Sequence, residues 1–80
     1  MAYKILKTTL YENEDREIDV PVDFRNKAGD LVLTGTLAEA RKGMTELKRM
    51  HNGNIIKINS REFGVVGEYS TVCYSMRELG

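Results

Sequence analysis

The chain has little of what surface chemistry usually requires. Its 80 residues include one cysteine, one histidine, one proline and no tryptophan, and twelve basic side chains cancel twelve acidic ones. A lone Cys73 cannot close an internal disulfide, and no CxxC or Cys/His spacing offers a zinc site. It stands in a strand-like run, which predicts a buried structural thiol. The single His51, at the C-terminus of the predicted helix, is the one imidazole that could serve a Ser, Thr or Cys nucleophile as base, and it brings no second metal ligand. Phosphate loops of the GxxxxGK or GxGxxG type are missing, because the one helix is entered from Leu33-Thr34-Gly35-Thr36. Asp19 and Asp23 share one side of a strand but stand about 13 Å apart at strand rise, too far to share a proton or a metal. These absences predict a protein that is not an enzyme and carries no cofactor or metal.

Long apolar runs are absent too. No stretch approaches membrane-spanning length, and the N-terminus lacks the basic, apolar and small-residue sections of a signal peptide. The expectation is a cytoplasmic protein with no membrane partner. Eighty residues predict one domain over 1–80, with about 60 to 65% of the unfolded chain's surface buried on folding. An apolar fraction of 41% with balanced charge fits a globular domain, not a disordered tail.

What is present is organised around residues 36–53. Thr36 with Glu39 three residues later forms a capping box, and Asn52-Gly53 supplies a left-handed stop. Winding at 100° per residue gathers Leu37, Ala40, Met44, Leu47 and His51 into a core stripe, flanked by Gly43 and Met50. Gly43 in mid-helix costs about 1 kcal/mol relative to alanine, so something should pack closely against it. Arg41, Lys42, Thr45, Lys48 and Arg49 take the opposite flank. Glu39 and Glu46 are spaced for weak pairs with Lys42 and Arg49.

The rest reads as strand. Residues 3–11 form a first strand with imperfect alternation. A polar loop follows. Ile18, Val20, Val22 and Phe24 then alternate with Asp19, Pro21 and Asp23, which predicts one core face and one wet face. Pro21 has no N–H to give to a ladder and suggests an edge. Asn26-Lys27-Ala28-Gly29 turns the chain into a third strand over 30–35, paired with the second. After the helix, 54–59 (NIIKIN) is a fourth strand and 69–76 a fifth. Residues 60–68 read as a turn or bulged hairpin, and 77–80 as a frayed tail. The expected fold is α+β, a two-layer β-β-β-α-β-β domain with one helix packed on a face of a mostly antiparallel sheet.

Charge is unevenly spread along the chain. Residues 11–30 hold seven acids, among them Glu12, Glu14 and Asp15, against three bases, whereas 39–61 hold Arg41, Lys42, Lys48, Arg49, Lys57 and Arg61 against Glu39 and Glu46. The fold should therefore have an acidic end and a basic end, and these nine side chains are the candidate partner-binding residues. Residues 61–66 with Tyr69 partly match the RNA-recognition-motif signature, but Glu62 replaces its first glycine and Val65 a stacking aromatic, and Tyr69 falls one place late.

A strand hairpin, a capped helix (TLAEARKGMTELKRM) and a strand opening NIIKI together resemble the layout of small phage-encoded inhibitors of host machinery, including anti-CRISPR proteins. That resemblance implies stoichiometric binding to a host enzyme or nucleoprotein complex. Exposed strand edges and the tyrosines Tyr3, Tyr11, Tyr69 and Tyr74 suit the same expectation of a protein-binding module. Two alternatives stand beside it. One is a nucleic-acid-binding domain using the basic helix flank with Lys57 and Arg61. The other is a structural homodimer formed through strand edges.

Overall fold

The computed structural model describes residues 1–51 and 54–79. Its centre is a pair of ten-residue strands, β1 (Ala2–Tyr11) and β7 (Ser70–Leu79), antiparallel over their full length from Ala2 opposite Leu79 to Tyr11 opposite Ser70. Residues 77–79 thus extend a central strand and do not form a frayed tail. The other strands are β2 (Arg16–Val22), β3 (Phe24–Arg25), β4 (Leu31–Val32), β5 (Asn54–Asn59) and β6 (Glu62–Val66). Five of them make an antiparallel sheet in the order β2-β1-β7-β6-β5, and β3 with β4 forms a small separate ribbon. One helix, α1 (Leu37–Met50), packs on β1, β3 and β7. The domain is α+β, with a helix on one face of a mostly antiparallel sheet.

Period-two alternation explains the core. Tyr3 and Ile5 from β1, Phe63 and Val65 from β6, and Tyr74 and Met76 from β7 meet Ala40 and Met44 of the helix. Leu6 breaks the alternation and turns to the uncovered face between Pro21 and Ser75, yet it too is buried. The Arg77–Asp19 pair links β7 to β2 across β1.

The capping box forms as the sequence predicts, with the Glu39 amide donating to Thr36 Oγ1 at 3.2 Å and the Thr36 amide donating to Glu39 Oε1 at 2.7 Å. The described helix ends at Met50 with His51 in an extended conformation, and the predicted Asn52-Gly53 stop lies outside the described residues. Met50, placed on the flank of the core stripe by periodicity, is 76% exposed. Periodicity gives its direction, but Met50 borders an open depression beside Phe24, Arg25 and Leu31 and is left uncovered.

Three further expectations are corrected. Residues 62–66 are a fully paired strand, because Gly64 sits in register between Ile56 and Cys73 and does not turn the chain. β2 reaches the core only through Val22: Ile18 is 60% exposed, and a bulge at Asp19, whose φ is 54°, interrupts its pairing beyond Lys7. Its edge position agrees with Pro21. The chain then leaves the sheet at Asp23, so Phe24 enters the core from β3 and the third strand shrinks to two residues. The turn between β3 and β4 is as predicted, with Gly29 at φ 87° and the Asp30 amide on Asn26 Oδ1 at 2.9 Å. Cys73 is half-buried on the uncovered face.

Candidate binding surfaces

The sheet carries the acidic β1–β2 turn and Arg61 at opposite ends. The β1–β2 turn with Glu12, Glu14 and Asp15 lies beside Tyr69, whose carbonyl accepts the Glu12 amide at 3.0 Å. The β5–β6 turn with Arg61 lies at the other end, its carbonyl accepting the Met76 amide at 2.9 Å. Six residues of β7, about 20 Å at strand rise, run between those ends.

The acidic end is an open depression of about 660 Å³ bordered by Tyr11, Glu12, Asn13, Asp15, Glu17 and Tyr69, with Arg16 also in its wall. Glu14 sits outside it, in the turn with φ 72°. Tyr11 donates to Glu17 Oε1 at 3.0 Å, and that bond to a carboxylate, with the negative charge itself, raises the phenol's pKa. Asn13 and Asp15 hold the turn through two mutual hydrogen bonds, at 3.0 and 3.2 Å. Among the described residues no three acidic, histidine or cysteine side chains are grouped to hold a metal ion.

The basic residues do not form one flank. Arg41 and Lys48, seven positions apart, share the helix face that looks toward the β5–β6 turn, where Arg61 joins them around a cleft of about 210 Å³. Met44, Phe63 and Met76 lie at its apolar base. Lys48 Nζ stands 5.1 Å from the centre of the Phe63 ring and the Arg61 guanidinium 5.6 Å from that of Tyr3, so both cations rest on aromatic faces. Lys42 points instead to a second depression of about 410 Å³ shared with Arg25 and Lys27 at the helix N-terminus. By helical spacing Arg49 follows Lys42 and not Arg41, and it is exposed. Lys57 is exposed within β5.

None of the predicted helix-face ion pairs is made. Among the described residues the one ion pair is Arg77 with Asp19. Glu39 is occupied by backbone: its carboxylate accepts the Thr36 amide and, at 2.5 Å, the Lys27 amide, and these bonds lower its pKa. His51 Nε2 meets the Tyr74 hydroxyl at 2.8 Å, an interaction that ties the helix end to the sheet.

One surface escaped sequence reasoning. Every residue of β5 is exposed, including Ile55, Ile56 and Ile58 at 41, 53 and 51%. The signal available was isoleucine on both faces of NIIKIN, which leaves apolar side chains uncovered whichever face meets the helix. Phe63, by contrast, is 1% exposed beneath the helix, which removes it from any base-stacking role and with it the RNA-recognition-motif likeness. No protein-family model, curated protein or solved structure matches this chain.

Proposed function

We propose that this chain is a small non-catalytic protein-binding module that occupies its partner one to one, with β5 as the docking edge. The observation that carries this reading is the contrast between the two edges of the sheet. β2 is guarded by Pro21, by the bulge at Asp19 and by the Arg77–Asp19 pair. β5 presents a row of unpaired backbone groups beside three exposed isoleucines, and Lys57 is its one charged residue. A partner strand added there gains main-chain hydrogen bonds and alternate side-chain contacts.

The resemblance of the layout to that of phage-encoded inhibitors favours a host enzyme or nucleoprotein complex as the partner, which the domain would obstruct by occupancy. The test pairs wild type with an Ile56→Lys, Ile58→Lys variant, both positions being more than half exposed, so the fold is retained. A partner captured by wild type is purified and mixed with each form, and the complex is weighed by light scattering. The expected result is a 1:1 complex with wild type that the variant fails to form. A variant that binds equally well removes β5 from the interface. A wild type that captures nothing and sediments at twice the monomer mass supports the homodimer, and steeply salt-dependent binding to random oligonucleotides supports the nucleic-acid alternative.

A further inference from the structure

We propose that the cleft between α1 and the β5–β6 turn is a carboxylate-binding site that reads an acidic side chain of an extended segment docked along β5. The proposal rests on the docking reading above and adds a chemical identity for what is docked.

Three cations from two separate elements converge there, Arg41 and Lys48 from the helix and Arg61 from the turn. Among the described residues none of the three is in an ion pair. The carboxylate in the wall, Glu62, accepts from Asn59 Nδ2 at 3.3 Å, and Asn59 Oδ1 accepts the Arg61 amide at 2.8 Å, which fixes the turn that carries Arg61. With Lys48 and Arg61 resting on rings, less side-chain freedom is lost when an anion arrives than for two free surface cations. An arginine fork suits a carboxylate, which can accept two parallel N–H bonds.

The position of the cleft selects the kind of ligand. It opens where β5 ends at Asn59, on the same face of the sheet as the helix. A strand added to β5 sends every second side chain to that face. Its backbone is satisfied by the edge while an aspartate or glutamate at its end meets the cations. A nucleic-acid strand would use the cations but leave the β5 hydrogen-bonding groups and isoleucines unmatched, and a chain of zero net charge offers it no broad basic surface.

The probe is a synthetic nonapeptide of alternating glutamate and valine, titrated at low salt into isotope-labelled protein and compared with its glutamine–valine counterpart. Saturable shifts are expected along β5 and at the Arg41, Lys48 and Arg61 side chains, with at least tenfold weaker binding for the glutamine peptide. The same loss is expected for Arg41→Glu, Lys48→Glu, Arg61→Glu protein, and a smaller one for Arg61→Gln, whose exposed side chain makes the change harmless to folding. Equal affinity for both peptides, with shifts on β5 alone, overturns the carboxylate site and leaves the docking edge standing. No shift on β5 overturns both. A single-stranded oligonucleotide that shifts the cleft resonances more tightly than the peptide assigns the cations to phosphate and overturns the proposal.

Discussion

A Cβ atom placed on Gly43 would stand 2.7 Å from Cβ of Phe24 and 3.0 Å from Cδ1 of Ile5. That contact explains the glycine in the middle of α1: the β3 segment and β1 approach the helix backbone directly, and the close fit offsets the helix propensity lost. Gly43→Ala, which in an exposed helix stabilises by about 1 kcal/mol, should here destabilise by about 1 to 3 kcal/mol through overpacking. Denaturant unfolding measures the difference. A gain in stability would mean that Phe24 yields easily and that the glycine serves something other than packing.

The Arg77–Asp19 pair tests how β2 is held at its edge. Its two N–H···O contacts are 3.2 and 3.1 Å long, and both side chains are largely solvated, so Arg77→Met should cost no more than about 1 kcal/mol and the loss should fade as salt is added. Asp19→Val should cost about 2 kcal/mol or more at any ionic strength, because a β-branched residue is strained at the φ of 54° that the bulge imposes. Unfolding in urea at low and high salt separates the electrostatic effect from the backbone one. Both variants lose the same ion pair, so the salt-dependent part should be shared; an Asp19→Val deficit that falls to that of Arg77→Met in high salt would contradict this division.

Glu39 predicts a pH effect of definite sign. Hydrogen bonds from the Thr36 and Lys27 amides lower its folded pKa, so its contribution is present above the ordinary glutamate range and is lost as pH falls through the lowered value. Wild type should therefore melt above Glu39→Gln at neutral pH, and the gap should close in acid. Thermal unfolding across that range is the measurement. A gap constant into the acid limb would assign the effect to packing of the side chain and not to its charge.

These contacts also show where the sequence is informative. The helix was legible because its N-terminal signal is local, lying in Thr36 and Glu39 themselves, and the acidic turn of Glu12, Glu14 and Asp15 followed from the order of residues. β6 was not legible. Gly64 within it and Gly67 just beyond it imitate a turn, and only the register against Cys73 reveals that Gly64 serves within a strand. The alternation of β2 was read correctly as strand but not as exposed, since period two says which residues share a face and not whether anything covers it. For the same reason six basic residues could be named while the convergence of Arg41, Lys48 and Arg61 could not. It depends on a turn 11 residues beyond the helix folding back along it.

Tyr74 joins the helix end to the sheet and gives the opposite pH signature to Glu39. Its ring is buried against Phe63, at a centroid distance of 5.2 Å, while its hydroxyl meets His51 Nε2 at 2.8 Å. Burial disfavours the phenolate and raises the pKa, so the stability linked to this group is complete below the ordinary phenol range and is lost as pH climbs through the raised value. Tyr74→Phe keeps the ring and removes both the hydrogen bond and the titration. It should cost about 0.5 to 1.5 kcal/mol at neutral pH, and the deficit should shrink or reverse in alkali as wild type is forced to ionise a buried phenol. Amide exchange should report the same bond locally, with faster exchange in the last helical turn of the variant than in β1. Unchanged exchange there, together with a parallel alkaline limb, would show that Tyr74 acts through its ring alone.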